Sequence, residues 1–411
     1  MRPPRMEAFF GLLEPYASLY ERVFSLSRAR REHEELVDTL RSGFGVHVDD
    51  LDQLLLQAAG RNPNVGAELQ QRVVDTIGFT GPGATAARAR FRDTVKRLDG
   101  EQLIQILTLA PTLRFERGRG SRSVASYTTL RVPLTNLFFM RDQQAVTDRG
   151  IVMGRLAKPQ RRRESEITSF AWRASGEPPV AEIIRGTFEG GDFLPAGPFA
   201  LVGTGDRSNA TGVRELMEKG LGFPEVAVVH QPRHPLLDRP DPMVNMHLDT
   251  YLNFPAEGVA VGHREMLSLA RVEVYVRDAQ TYHLLRETTL LSYLEVDHGF
   301  RLVPISTLEQ LCYASNFLTI RDRVIVVPDV ARNAERVLAN LRQVAERMPG
   351  RYHRLYLRAA REFSELRAED RFFPRTPAAR DAGLQSVRVG LENLTGAFGG
   401  AHCLTAALER A

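Results

Sequence analysis

The sequence predicts an α/β protein with extra helices at two places along the chain. Residues 48–113 repeat apolar side chains at helical spacing, and Pro and Gly interrupt them. After residue 130, short β-type runs alternate with helical segments, and 331–347 and 353–367 are again amphipathic helices. A chain of 411 residues can bury a large core, so these elements can pack around one another.

The first half of the chain is mainly helical by its apolar spacing. One helix is predicted over 25–40, with Gly43 as its stop. The four helical segments of 48–113 form a block the size of a small domain. We therefore divide the chain into a first part of the α/β unit (1–47), a helical insert (48–115) and the remainder of the α/β unit (116–411).

The second half carries the β-type runs, each with Gly or Pro nearby. They lie at 199–202, 226–229 and 259–261, and a hairpin is predicted for 317–327 around a tight turn. The helices within 331–385 form an elaboration that ends in a polar, Pro-containing surface loop over 370–385. This elaboration could cap a site or form an interface, so a homo-oligomer remains open.

Composition excludes several classes of function. The net charge is +4, and acidic and basic residues are interspersed along the chain. Nucleic-acid binding is therefore not expected. The basic segment 117–122 is interpreted as a solvated connector. No apolar run reaches the roughly 18 residues of a membrane span, so no membrane contact is expected. The two cysteines, Cys312 and Cys403, are too few for a secreted disulfide scaffold and favour a cytoplasmic location.

A thiol, an imidazole and several carboxylates occur in separate short motifs. In a strand, His247 and Asp249 would share one face and could serve one ligand. The other interpretations are a polar surface strand or a His-x-Asp metal pair.

Two acidic motifs lie upstream. The glycines of Glu189-Gly190-Gly191-Asp192 would allow close approach of the backbone to a ligand, although an ordinary turn explains them equally well. Asp142 closes an apolar run and could meet a cation, or could pair with Arg141 at the surface.

Cys403 lies in a Gly-rich turn beside His402. Nearby backbone N–H groups and positive charge would lower the pKa of its thiol and make it a nucleophile. The alternative is a buried small hydrophobe, which suits Cys312 better.

Metal and cofactor signatures are missing from the sequence. There is no CxxC or HExxH spacing, so neither a metal nor another cofactor is predicted. Gly203-Thr204-Gly205 lacks the third glycine of a dinucleotide fingerprint.

The order of these motifs resembles that of the arginine deiminases. The matching sequence runs through Asn-x-x-Phe-x-Arg-Asp, Arg161-Arg162-Arg163-Glu164-Ser165, Glu-Gly-Gly-Asp, Gly205-Asp206-Arg207-Ser208, Met-His-Leu-Asp-Thr and Gly-Gly-x-His-Cys. The resemblance implies a pentein fold, in which five ββαβ modules surround a central polar site, with a helical insert near the start. It also implies hydrolysis of arginine to citrulline and ammonia.

The resemblance assigns roles to single residues. Cys403 is expected to be the nucleophile, His247 the general acid and base, and Glu189 its supporting carboxylate. Asp142 and Asp249 are expected to clamp the guanidinium, since a permanently charged, planar group calls for paired acceptors. The resemblance also implies a set of residues that bind the rest of the substrate: Asn136, Phe139, Arg161 and Arg207.

Two departures from the family pattern are visible. Phe398 stands where the family has an arginine five residues before the nucleophile, and the first strand of the family is expected to be shortened or absent here. An amidinotransferase or an ornithine-forming dihydrolase would share the covalent intermediate, and a non-catalytic arginine-binding protein would share the scaffold.

Overall fold

A computed structural model describes residues 1–117, 124–239, 241, 244–279 and 281–409 of the chain. It has a mixed α/β architecture. Its helices are α1 Met6–Leu13, α2 Leu26–Asp38, α3 Leu51–Arg61, α4 Pro63–Thr76, α5 Ala84–Thr94, α6 Gly100–Leu109, α7 Arg162–Ser175, α8 Ala210–Lys219, α9 Arg264–Leu269, α10 Leu290–Ser292, α11 Thr307–Leu311, α12 Val330–Arg347, α13 Pro349–Glu369 and α14 Pro377–Asp381.

The strands of the described residues form five sheets. They are β1 Gly78–Thr80, β2 Pro111–Arg117, β3 Val124–Leu130, β4 Gln144–Thr147, β5 Gly150–Met153, β6 Ala181–Glu182, β7 Phe193–Ala196, β8 Phe199–Thr204, β9 Glu225–His230, β10 Leu252–Ala256, β11 Val259–Gly262, β12 Arg271–Asp278, β13 Thr281–Thr289, β14 Arg301–Pro304, β15 Leu318–Arg321, β16 Val324–Pro328 and β17 Gln385–Val389. The runs predicted at 199–202, 226–229 and 259–261 correspond to β8, β9 and β11, and the predicted hairpin is β15–β16.

Four of the sheets are built around the same ββαβ unit. In each, an antiparallel hairpin is followed by helix and then by a strand parallel to the second strand of the hairpin. The units are β4–β5–α7–β6, β7–β8–α8–β9, β10–β11–α9–β14 and β15–β16–α12–β17. The hairpin β12–β13 extends the second unit, because β12 pairs with β9.

The N-terminal part is helical. Between Met1 and Gly43 the chain forms α1, α2 and a π-helical turn, and no strand occurs there. The predicted helix over 25–40 is therefore present as α2. Ser25 caps it by accepting a hydrogen bond from the Arg28 backbone N–H.

Helices α3 to α6 follow within the predicted insert region, and strands β1, β2 and β3 form a separate three-stranded sheet beside them. The apolar faces of these helices share one core with the segments that follow residue 130. Leu55 and Val73 belong to the same buried cluster as Leu137 and Phe170. This packing fixes the segment that leads into Asp142. Residues 118–123, which make up most of the basic connector predicted from the sequence, lie outside the described residues.

The late helices form an antiparallel pair. α12 and α13 pack on α11, and their buried side chains Val337, Leu341 and Leu355 join one core with β16. The segment 370–385 is not the simple surface loop predicted from its polarity. Phe372 and Phe373 are buried in that core and α14 lies within the segment. Apolar burial of the two rings outweighs the surrounding polar residues.

No helix in the described ranges combines the length and the apolar character that crossing a bilayer requires.

Candidate active site

The charged candidate residues lie just before the first strand of successive ββαβ units. Asp142 precedes β4, Glu189 precedes β7, and His247 and Asp249 precede β10. Cys403 comes from the turn after β17. Because the units repeat the same topology, these pre-strand segments meet at one place. All five side chains are buried there.

The backbone around His247 and Asp249 differs from the predicted strand. His247 is extended, but Leu248–Thr250 form a 3-10 turn. The two side chains therefore diverge instead of sharing a strand face. The His247 ring turns toward Glu189 and Asp142, whereas Asp249 turns toward His402 and Cys403.

His247 lies between two carboxylates. Its Nε2 is 2.9 Å from Glu189 Oε2, and its Nδ1 is 3.6 Å from Asp142 Oδ1. Burial by itself disfavours the charged ring, but Asp142 and Glu189 outweigh burial and raise the pKa of His247 to about 9. The imidazole is therefore protonated at neutral pH and can donate a proton.

Glu189 is held by cations and by backbone donors. Arg207 Nη1 lies 3.7 Å from Oε2, and the Ala157 backbone N–H donates to Oε1 at 3.0 Å. Burial would raise the pKa of Glu189, but Arg207 and His247 hold it below its usual value. Glu189 is therefore ionised and fixes both the position and the charge of His247.

Cys403 and Asp249 form the other half of the site. The thiol lies 3.7 Å from Asp249 Oδ2, and His402 Nδ1 is 2.7 Å from the same oxygen. The Cys403 backbone N–H donates to Asn316 Oδ1 at 3.1 Å, as does that of Gly400 at 2.9 Å. Asn316 thereby holds the turn that carries Cys403.

The thiol does not have the lowered pKa expected from its motif. Burial, together with the negative charges of Asp249 and Asp142, raises the pKa of Cys403 well above its ordinary value. The nearby backbone N–H groups bind the Asn316 side chain, and the nearest charges are carboxylates. In the unliganded site the sulfur is therefore a thiol, and it needs added positive charge to ionise.

At the candidate site, two buried carboxylate oxygens lack hydrogen-bond donors among the described residues. They are Asp142 Oδ1 and Asp249 Oδ1. His402 holds the pKa of Asp249 below its usual value against the effect of burial, so this group is charged. A buried charge with an unfilled acceptor is costly unless a cation completes it. The arrangement is suited to bind a cation with several N–H donors.

A metal ion is a second cation that the geometry could accept. One ligand atom each from Asp142, Glu189 and His247 lies within 4.8 Å of the others. The guanidinium of Arg161 already fills part of this space, with Nη1 2.7 Å from Asp142 Oδ2. A metal would have to displace that charge.

The four residues predicted to bind the rest of the substrate make ion pairs, a hydrogen bond or apolar contacts. Arg161 pairs with Asp142 and with Glu164, whose pKa burial raises to about 7. Arg207 lies beside Glu189 and Asp206. Asn136 donates to the Ser18 carbonyl at 2.8 Å. Phe139 packs in the same apolar cluster as Cys403.

Two glycines of the motifs are required by close packing. A Cβ on Gly191 would lie 2.7 Å from His247 Nδ1, and one on Gly399 would lie 2.4 Å from a ring carbon of Phe139. Both positions are closed to any larger residue unless the site shifts. Phe398, directly before Gly399, adopts the left-handed backbone conformation with φ of 68°.

Three further residues take part in the site without having been assigned roles from the sequence. Asp192 accepts from the Leu248 backbone N–H at 3.0 Å, and burial raises its pKa to about 6. His402 binds Asp249, and Asn316 holds the turn that carries Cys403. Asn316 lies just before β15, so the repeated pre-strand position was the signal that could have identified it.

Comparison with known proteins places the chain among enzymes of one kind. A family model described as arginine deiminase matches residues 17–410. The arginine deiminase of Halobacterium salinarum is 27% identical over 408 residues, which span 79% of this chain and 82% of that protein. The arginine deiminase of Mycoplasma capricolum is 24% identical over 230 residues, spanning 54% of this chain and 55% of that protein.

Solved structures give a weaker likeness. AgrE, in its complex with ornithine and NAD+, aligns with a TM-score of 0.44 at 15% identity, over 73% of this chain and 32% of that one. At this level the structural likeness supports no conclusion about chemistry.

Proposed function

Because the chain belongs to the arginine deiminase family, we propose that it hydrolyses L-arginine to L-citrulline and ammonia through a covalent intermediate on Cys403. The observation that carries this proposal is the pair of unfilled, buried carboxylate oxygens on Asp142 and Asp249, next to the thiol. A guanidinium supplies the planar set of N–H donors that two such carboxylates accept.

Binding of arginine would exchange the guanidinium of Arg161 for that of the substrate. Arg161 now occupies Asp142 Oδ2, so the substrate guanidinium would displace it. Freed from that pair, Arg161 could turn with Arg207 toward the carboxylate of arginine, the role that the family resemblance implies. Asn136 and Phe139 are proposed to line the stem of the substrate.

The substrate itself would activate the thiol. Asp249 and Asp142 raise the pKa of Cys403, and a guanidinium between them cancels much of that negative field. The thiol then loses its proton to solvent more readily, and the thiolate lies next to the carbon it attacks. Attack forms the C–S bond of a tetrahedral adduct.

His247 would handle the protons. As an imidazolium it gives its proton to the departing nitrogen, and the C–N bond breaks to release ammonia. The neutral ring then takes a proton from water while the oxygen adds to the central carbon. Breaking of the C–S bond, with transfer of the hydroxyl proton to the sulfur, frees citrulline and restores the thiol. Glu189 supports the charged ring throughout.

The finer assignments of fold and setting are also proposals. We infer that the four ββαβ units belong to a five-part pentein propeller whose remaining part is the helical segment 1–47, with an insert at 48–115 and the rest of the catalytic part at 116–411. Both cysteines are free thiols, which is compatible with a cytoplasmic location. A homo-oligomer stays a prediction.

Product analysis tests the proposed reaction. Purified protein is incubated with arginine, and citrulline, ornithine and ammonia are quantified together with the mass of the protein. Equal amounts of citrulline and ammonia, with a transient adduct on the Cys403 peptide, are expected. Ornithine as the product would instead indicate a dihydrolase or an amidinotransferase, and the absence of any product would contradict the proposed activity.

A further inference from the structure

Asn316 occupies the same place in its ββαβ unit as the charged candidates do in theirs. It lies just before β15, as Asp142 lies before β4, Glu189 before β7 and Asp249 before β10. The residue is fully buried, yet its side chain carries no charge. The repeated topology therefore delivers a neutral amide to the place where the charged groups of the site meet. No step of the proposed reaction uses this amide.

The Asn316 side chain joins two segments whose separation matters for the reaction. Its Oδ1 accepts hydrogen bonds from the backbone N–H groups of Gly400 and Cys403, at 2.9 and 3.1 Å. Its Nδ2 donates to the backbone carbonyl of Asp249 at 3.4 Å. One buried amide thus holds the turn of the nucleophile on one side and the segment of a guanidinium-binding carboxylate on the other.

Backbone and side-chain contacts beside Asn316 reinforce this link. The His402 backbone N–H donates to the Asn316 carbonyl at 3.0 Å. Ser315 Oγ donates to the Asp249 carbonyl at 3.2 Å. The turn packs closely here, since a Cβ on Gly400 would lie 2.9 Å from the Asn316 carbonyl oxygen. The sulfur carried by this turn therefore has little room to move relative to Asp249.

The segment that carries Asn316 is itself fixed by the neighbouring ββαβ unit. Asn253 is buried in β10, and its Nδ2 donates to the carbonyls of Ser315 and Phe317 at 3.0 and 2.9 Å. These two carbonyls flank Asn316, so its backbone cannot rotate without breaking one of the hydrogen bonds. The position of the amide is therefore determined by the fold, before any ligand binds.

Asn316 also affects the sulfur itself. Burial and the charges of Asp249 and Asp142 raise the pKa of Cys403, whereas a hydrogen bond from Asn316 lowers it. Other ionisable side chains lie close to the sulfur or to Asp249: Arg141, His247, Tyr313 and His402. A substitution at position 316 leaves all of these groups in the chain, so a change in thiol reactivity reports on the amide.

We propose that Asn316 is a positioning residue of the reaction, which sets the distance between the Cys403 sulfur and the guanidinium bound by Asp249. The inference rests on the proposed function, because it requires a guanidinium at that carboxylate. The sulfur and Asp249 Oδ2 lie 3.7 Å apart. A displacement of an attacking atom by about 1 Å can lower a rate by about 100-fold. Loss of the amide should therefore slow the chemical step and also make the thiol less reactive without substrate.

Steady-state kinetics of the full-length Asn316→Ala protein test the effect on the chemical step. For citrulline formation, kcat should fall about 100-fold while KM stays within about threefold, because the carboxylates that bind the guanidinium are retained. A kcat within about threefold of that of the unsubstituted protein would overturn the proposal.

Asn333→Ala is the matched control. Asn333 is also buried, and its Nδ2 donates to a backbone carbonyl, that of Cys312, at 3.4 Å. Urea unfolding should show that both variants lose stability, since each loses a buried amide. Asn333→Ala should nevertheless keep kcat within about threefold. Equal falls in kcat for the two variants would mean that the loss at Asn316 is only structural.

Asn316→Asp keeps the proposal testable if Asn316→Ala does not fold. The carboxylate retains the shape and an acceptor for the Gly400 and Cys403 N–H groups, but it has no donor for the Asp249 carbonyl. It also places a further negative charge beside the sulfur, which raises the pKa of the thiol. Its kcat should therefore also fall about 100-fold. Full activity of this variant would contradict a positioning role.

Alkylation of the thiol provides a measurement that needs no turnover. Full-length protein is treated with iodoacetamide between pH 7 and 10, and modification of the Cys403 peptide is followed by mass spectrometry. At pH 8, Asn316→Ala should react about fivefold more slowly than the unsubstituted protein, because loss of a hydrogen bond to the sulfur lowers the thiolate fraction. Asn333→Ala should react like the unsubstituted protein. Equal or faster alkylation of Asn316→Ala would contradict the inference.

The outcomes separate this inference from the proposed reaction. If the unsubstituted protein converts no arginine but Asn316→Ala is alkylated more slowly than Asn333→Ala, the reaction fails and the role of the amide at the sulfur stands. If the unsubstituted protein and Asn316→Ala hydrolyse arginine with equal kcat, the reaction stands and the inference fails.

Discussion

Two buried clusters of charge in this molecule differ in how completely their acceptors are filled. Near the N-terminus, fully buried Arg2 pairs with Glu7 and with Asp52, and Arg5 Nε lies 2.7 Å from the second oxygen of Asp52. At the candidate site, Asp249 Oδ1 and Asp142 Oδ1 lack hydrogen-bond donors among the described residues. Both oxygens of Asp52 lie within 2.9 Å of guanidinium nitrogens of this chain, whereas Asp249 Oδ1 is left for a ligand to fill.

The difference separates a structural role from a chemical one. The N-terminal cluster holds α1 against α3 through ion pairs made within the chain. A buried carboxylate oxygen without a donor destabilises the free protein, and that deficit becomes differential affinity for a cation. Arg2, Glu7 and Asp52 are as buried as the carboxylates of the candidate site, so burial of charge alone does not identify an active site.

The largest effect is expected from removal of the thiol. Cys403→Ala should lower kcat by about 10⁴-fold or more, since loss of a nucleophile removes the covalent route. The measurement is citrulline formation from arginine under saturating substrate. Stability in urea should be nearly unchanged, because Ala fits the same apolar pocket. Activity within 100-fold of the unsubstituted protein would contradict a covalent mechanism.

A matched pair of substitutions tests the contrast between the clusters directly. Asp52→Asn should cost about 3–5 kcal/mol of unfolding free energy, because it leaves the buried guanidinium of Arg2 poorly paired. Asp249→Asn should cost less than about 1 kcal/mol and yet lower kcat/KM by about 100-fold or more. Urea unfolding and steady-state kinetics on both variants give the two readings. Equal stability losses would remove the distinction.

The ionisable side chains of the site could be predicted from the sequence more readily than the residues that hold its backbone. The ionisable groups of the site lie in short polar motifs next to apolar strands, and such contrasts are visible in one sequence. The strand expected for His247 and Asp249 was wrong because a 3-10 turn and a strand share the same short polar pattern. Asn316 and Asp192 were not assigned roles because they accept hydrogen bonds from backbone N–H groups. A motif of side chains does not reveal such contacts.

The fold could likewise be predicted only where the local sequence pattern decides the structure. Short apolar runs with Gly or Pro nearby, and a tight turn between two such runs, made β8, β9 and β15–β16 recognisable, and Pro and Gly breaks located α3 to α6. The polar segment 370–385 was misinterpreted, since two aromatic side chains decide its burial and the surrounding charges do not. The helical form of 1–43 depends on packing against the later chain, through contacts such as Glu32 with the Asn393 and Leu394 backbone.

The pH dependence of stability should distinguish histidines in charged and in apolar surroundings. The pKa of His247 is raised to about 9, so its contribution is fully present below pH 6.5 and is lost as pH rises through 9. Burial lowers the pKa of His234 to about 3 and that of His263 to about 4, so theirs is present above pH 6.5 and lost in acid.

Urea unfolding between pH 4 and 9.5 measures both limbs. His247→Gln should flatten the alkaline fall of the unfolding free energy, and His263→Gln the acid one. If His247→Gln instead flattened the acid fall and His263→Gln the alkaline one, the surroundings described for these rings would be contradicted.

The smallest effect is expected from an ion pair outside both clusters. Arg342 and Glu346 pair at 3.0 Å on the exposed face of α12. Glu346→Gln should change the unfolding free energy by less than about 0.5 kcal/mol, because solvent screens the pair. A larger change would mean that the exposed face of α12 is covered in solution, which an oligomer would do.

The turn of Cys403 docks on the segment that leads into Asp142, with Arg141 Nε donating to the His402 carbonyl across 261 positions of sequence. During translation, the carboxylates of the site therefore leave the ribosome long before the sulfur does. Under the proposed mechanism, the nucleophile joins the other side chains only when this turn docks on the segment synthesised earlier.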